Sequence, residues 1–144
     1  MKKNCILTVL VVVLLVLLSA KAFSQSNIEV TITNIKEVKG TIRLALFTDA
    51  ENFPDNKPVM GKIVKTTAKT MKVILENVPD GTYAASVIHD ENENEKLDTG
   101  FIGIPKEGFG FSNDAMGTFG PPKFKEASFA TSATQAISIT LKYM

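Results

Sequence analysis

Cysteine is nearly absent from this 144-residue chain: the one present, Cys5, stands ahead of an apolar N-terminal run. A chain cleaved after that run would hold none. Disulfides, thiolate catalysis and cysteine-based zinc or iron–sulfur sites are then excluded. Lipid anchoring is not expected, because a lipoprotein needs its cysteine directly after the apolar run. Tryptophan is missing and tyrosine occurs twice, which argues against a carbohydrate-stacking platform. The single histidine, His89, leaves no pair for an H-E-x-x-H metal site, and no G-x-S-x-G elbow accompanies it. Helical periodicity is also missing, and with it any phosphate-cradling loop that opens onto a helix. Lysines are scattered rather than gathered into a basic, aromatic-lined surface, so no nucleic-acid partner is expected. No catalytic residue is assigned. The enzymatic alternative is a hydrolase pairing His89 with a carboxylate; Asp90 and Glu107 could instead act as a glycosidase pair only if folding brought them within about 5–10 Å of each other.

What the chain does have begins with a leader. Lys2 and Lys3 precede a run from Ile6 to Leu18 that is apolar except for Thr8, and Ser19-Ala20-Lys21-Ala22 follows with small residues. This is the pattern of a signal peptide, and the run is short of the ~20 residues a membrane span needs. Cleavage after Ala22 or after Ser24 fits, so residues 1–24 are expected to be removed and residues 25–144 to form one domain. Without residues 1–24, Lys+Arg falls from 16 to 13 against 15 acids, and net charge moves from +1 to −2. The expected location is periplasmic or secreted, with no membrane span after cleavage.

Strand signals dominate residues 25–144. Ile28, Val30 and Ile32 alternate with polar residues, as do Ile42, Leu44 and Leu46 after a turn at Val38-Lys39-Gly40. These two strands are expected to form an opening hairpin. Residues 48–58 read as a loop broken by Pro54 and Pro58, and residues 59–69 as a weakly patterned strand. Met71, Val73 and Leu75 alternate up to a turn at Asn77-Val78-Pro79-Asp80-Gly81. Tyr83, Ala85, Val87 and His89 then share one strand face. Residues 90–123 read as one long irregular loop, 124–130 as a short strand, and Ile137, Ile139, Leu141 and Tyr143 mark a closing amphipathic strand. Seven strands predict an all-β, antiparallel two-sheet sandwich, immunoglobulin-like or transthyretin-like. A small barrel is the competing arrangement.

A loop that long in a compact domain is usually functional or disordered. Its first residues place Asp90, Asn92, Asn94 and Asp98 at relative positions 1, 3, 5 and 9, with the Lys96 carbonyl available at position 7. Such spacing lets a tightly curled loop turn alternate oxygens onto a calcium ion, a hard cation that takes six to eight of them. Calcium is therefore the expected cofactor. Two positions depart from the pattern: Glu95 stands where calcium loops prefer glycine, and Phe101 where an EF-hand has its bidentate glutamate. Glu91, Glu93, Glu107 and Asp114 are candidates for a remaining ligand. The alternative is a solvated turn in which Asp and Asn cap the local backbone.

His89-Asp90-Glu91-Asn92, Lys96-Leu97-Asp98 and the run Gly103-Ile104-Pro105-Lys106-Glu107-Gly108-Phe109-Gly110-Phe111-Ser112-Asn113 resemble the signature of the bacterial family called domain of unknown function 2141. The entry at Gly81-Thr82-Tyr83-Ala84, the Lys123-Phe124 stretch and the terminal strand fit the same resemblance. It implies export, a β-rich domain and no established activity; family members usually carry glycine at the position of Glu95. Phe109 and Phe111, with Asn113, are a possible ligand or partner surface, an aromatic lip on a flexible backbone. The alternative is that Phe101, Phe109 and Phe111 fold back over an open end of the sandwich. The functional expectation is an exported, non-catalytic binding or structural module that meets an envelope protein or a small ligand. A carrier with an apolar cavity is the other reading.

Overall fold

The computed structural model describes residues 25–132 and 136–144. The expected signal peptide and its cleavage sites lie outside the described residues. Eight strands are formed among the described residues: β1 (Gln25–Thr33), β2 (Thr41–Phe47), β3 (Met60–Lys65), β4 (Met71–Pro79), β5 (Thr82–Asp90), β6 (Gly108–Phe111), β7 (Ser128–Ala130) and β8 (Ala136–Thr140). A single helical turn, α1 (Phe124–Ala127), precedes β7. No described helix is long and apolar enough to cross a membrane.

The strands form a sandwich-like all-β fold. One sheet has the order β4-β1-β8; the other runs β3-β2-β5-β6, with β7 also paired to β5. Alternation explains the layer between them. Ile28, Val30 and Ile32 of β1, Ile42, Leu44 and Leu46 of β2, and Tyr83, Ala85 and Val87 of β5 all point into one buried cluster, as residues two apart on a pleated strand must.

Four expectations change. The β1–β2 hairpin does not form: β1 pairs with β4 and β8, whereas β2 pairs with β3 and β5. The turn at residues 38–40 reverses the chain but carries it from one sheet to the other, with Ile35 buried on the way. The closing strand β8 runs parallel to β1, with Val30 opposite Ile137 and Ile32 opposite Ile139. Residues 124–130 split into α1 and β7.

The fourth change lies inside the long loop, where Gly108–Phe111 is a strand antiparallel to β5. Glycine hides a strand signal because it has no side chain to alternate. Here its absence of a Cβ is what the packing uses. A Cβ on Gly108 would lie 2.5 Å from Tyr143 Cζ, and one on Gly110 would lie 2.7 Å from Ile139 Cγ2. The two glycines let β6 press against the inner layer. Phe109 and Phe111 thereby point to the outer face of the larger sheet.

That outer face is also covered. Phe47, Phe53, Ala84, Phe109, Phe111 and Ala127 form a second buried cluster. Phe53 meets Phe47 and Phe111 edge-on at ring-centroid distances of 5.5 and 5.7 Å. The segments at 48–58 and 97–127 therefore close over the sheet, which makes β5 central in depth as well as in order.

Candidate functional site

The loop after β5 starts from a fully buried carboxylate. Asp90 Oδ1 accepts the Asn94 N–H at 3.1 Å, and Oδ2 accepts the Glu95 N–H at 2.8 Å. The Arg43 guanidinium stands 4.0 Å from Oδ2. Further on, Asn92 Oδ1 accepts the Asn94 N–H at 3.1 Å and Asn94 Oδ1 accepts the Lys96 N–H at 3.0 Å. Two Asx turns in succession thus curl residues 90–98.

The curl requires left-handed backbone at two points, Glu93 with φ 60° and Glu95 with φ 67°. Glu95 is the position where glycine was expected. The loop takes the glycine-like conformation regardless, at a cost of roughly 1–2 kcal/mol. Asn92 Nδ2 donates to Asp98 Oδ2 at 2.6 Å and Asn94 Nδ2 donates to Asp98 Oδ1 at 2.8 Å. The side chains of Asp90, Asn92, Asn94 and Asp98 therefore belong to one hydrogen-bonded loop, and Lys96 enters it through its main chain. Among the described residues no three His, Cys, Asp or Glu side chains form a ready metal cluster. The loop instead mixes two carboxylates with two amides, a donor set that only a hard cation would favour.

Of the four candidate additional ligands, one joins the loop. Glu107 is buried; its Oε1 accepts the Glu91 N–H and its Oε2 the Asp98 N–H, both at 2.9 Å. One carboxylate thus fastens both ends of the curl, in a chain with no disulfide to do so. The spacing gave no sign of this, because Glu107 returns through a separate hairpin. Glu91 pairs with Lys39 at 2.9 Å and Glu93 with Lys65 at 3.1 Å. Asp114 is elsewhere, accepting the Thr140 N–H at 2.8 Å at the end of β8.

That hairpin joins Asp98 to Glu107. Thr99 bridges to Pro105, and Lys106 N–H donates to Asp98 O at 2.8 Å. Its tip exposes Phe101 at 95% and Ile102 at 83%. Ile102 has φ 67°, rare for a β-branched residue. Apolar surface is thus displayed, but not by the expected residues. Phe109 and Phe111 are buried in the outer cluster and offer no ligand or partner surface, because β6 pairing turns both rings inward beneath the covering segments. Asn113 is exposed, yet its Nδ2 donates to the carbonyls of Glu126 and Ser128 at 3.1 and 2.9 Å, which ties it to α1 and β7.

His89 is sealed in the interior with no exposure. Its Nε2 lies 2.8 Å from the Lys39 carbonyl and its Nδ1 2.8 Å from the Tyr143 hydroxyl. A carbonyl can only accept, so Nε2 carries the proton and Nδ1 accepts from Tyr143. The Tyr143 oxygen in turn accepts the Lys36 N–H at 3.0 Å. Every polar atom of the histidine is used, in a chain of bonds that joins the two sheets. Burial pushes the Tyr143 hydroxyl above its ordinary pKa. A family model described as an uncharacterized protein conserved in bacteria, DUF2141, matches residues 30–139. No curated protein and no solved structure matches the chain. With the match running from β1 through β8 and covering the cation-loop candidate, the chain belongs to the DUF2141 family.

Proposed function

We propose that this protein is an exported, non-catalytic binding module in which calcium orders the Asp90–Asp98 loop and so holds the Phe101–Ile102 tip out to a partner in the cell envelope. The observation that carries the reading is the double Asx turn with left-handed Glu95. It supplies at position 6 the conformation that a calcium-binding curl demands, despite the missing glycine. Asp90, Asn92, Asn94 and Asp98 side-chain oxygens and the Lys96 carbonyl would hold the ion. Asp98 now takes its partners from two amide N–H groups; a cation would replace those donors, with the amide oxygens keeping their Asx-turn bonds while facing the ion. The ion's part is structural: it neutralises Asp90 and Asp98 and holds the curl closed. Export is supported by the leader sequence, and the non-catalytic role by the full engagement of His89.

Extracellular modules bind calcium at roughly 0.1–1 mM, so millimolar calcium is worth about 1 kcal/mol. A thermal melt should then rise by about 3–6 °C in calcium relative to chelator, with residues 91–106 gaining protection from protease. Asp98→Asn should remove the response and, by losing one of the two amide bonds it accepts, lower the chelated melt by a few degrees. Identical melts with calcium and with chelator would sink the calcium reading.

A further inference from the structure

The outer face of the larger sheet carries a hollow that the second core cluster leaves open. Register places Gly61, Ala45 and Ser86 side by side across β3, β2 and β5. This row offers a hydrogen, a methyl and a hydroxymethyl, while the next row presents Ile63, Arg43 and Ile88. The small row is the floor. Pro54 and Asp55 form one wall and Lys96 and Leu97 the other, around a volume of about 670 Å³. Small-molecule sites span roughly 300–1,000 Å³ and combine apolar walls with few placed polar groups.

Arg43 is the chain's single arginine, and it lines this hollow. Its side chain is 25% exposed, and its carboxylate neighbour, Asp90, is 4.0 Å away. Asp90 already accepts two main-chain N–H groups, so the guanidinium fork retains donors for another acceptor. A planar five-donor fork matches a carboxylate in two parallel bonds, which a lysine in the same place would not. The hollow's other charges cancel, Lys62 and Lys96 against Asp55 and Glu95, which leaves Arg43 as the net positive charge. Lys62 is turned away onto the Ile74 carbonyl at 2.8 Å. Apolar surface from Ile63, Ile88 and Leu97 surrounds the fork.

We propose that this hollow binds a small organic carboxylate with an apolar body, its carboxylate on Arg43 and its body over Ala45. The site does not rest on the calcium reading: although Lys96 and Leu97 come from the same loop, that loop is already held by its own hydrogen bonds to Asp90 and Glu107, and the floor and the arginine belong to strands. A chain that ignored calcium would still be expected to bind.

The test is isothermal titration calorimetry of the full exported domain with octanoate, and with octanol as the uncharged control, in calcium and in chelator. Saturable octanoate binding is expected in both buffers, at least about tenfold tighter than octanol. Arg43→Gln should erase that preference, and Ala45→Leu should abolish binding of both probes by filling the floor. Amide shifts on octanoate addition should centre on Gly61, Ala45 and Ser86. If Ala45→Leu fails to fold, Arg43→Gln and the shift map still decide. No saturable binding to about 10 mM octanoate, equal affinity for octanol, or shifts confined to another face would overturn the proposal.

Discussion

The two faces of the five-stranded sheet are built on different terms. Its inner face is strand against strand: Ile42, Leu44, Leu46, Ala85 and Val87 pack on residues of the smaller sheet. Its outer face is strand against loop, where Phe53, Phe109 and Phe111 are brought in by irregular segments and by a strand half made of glycine. The inner layer is continuous, whereas the outer layer stops short and leaves a hollow beside a strained, polar curl. The contrast places the continuous core on one face, and on the other the hollow proposed for recognition.

That division can be broken first at its strongest point. Ile32→Ala, fully buried in the inner layer, should cost about 4 kcal/mol in denaturant midpoints and lower protection of every strand together. Phe53→Ala should cost about 3 kcal/mol, but its loss of hydrogen-exchange protection should concentrate in residues 48–58 and 97–127. If both variants loosened the whole domain equally, the two faces would be one cooperative layer. Gly110→Ala should cost about 2 kcal/mol by forcing a methyl toward Ile139 Cγ2 and Thr140 O, read as a fall in melting temperature.

The hydrogen-bond chain between the two sheets is tested by Tyr143→Phe, which strands His89 Nδ1 and the Lys36 N–H and should cost about 1–2 kcal/mol. The same group predicts an alkaline limit. Because burial raises the folded pKa of Tyr143, the unfolded chain releases its proton first. Stability from this group is therefore complete below about pH 10 and lost as pH climbs through the folded value; a flat melting temperature from pH 9 to 11 would contradict it. Smallest of all, Glu95→Gly should gain about 1 kcal/mol by relieving left-handed strain, and should sharpen any calcium response rather than abolish it.

How much of this was legible in the sequence follows the same division. The inner face was readable because Ile28, Val30 and Ile32 or Tyr83, Ala85 and Val87 alternate with the pleat. Which strands become neighbours was not, since residues 38–40 mark a reversal without naming a partner. β6 was hidden by Gly108 and Gly110, whose value lies in what they lack. In the candidate site, the 1-3-5-9 oxygens were legible because local turns organise them. Glu107 was legible only as one of four unranked candidates and Arg43 not at all, because each arrives from a distant segment and is recognised only by what it faces.

The parallel pairing of β1 with β8 has a consequence in time. β1 lies in the middle of its sheet, between β4 and β8, yet Val30 must find Val73 on one side and Ile137 on the other. The earliest strand to emerge is thus among the last to be completed. Pairings so distant along the chain fold slowly, on a scale of milliseconds to seconds. Throughout that interval the edge of β1 stays open, so a chain crossing a membrane N-terminus first would remain unfinished until residues 136–140 had followed it through.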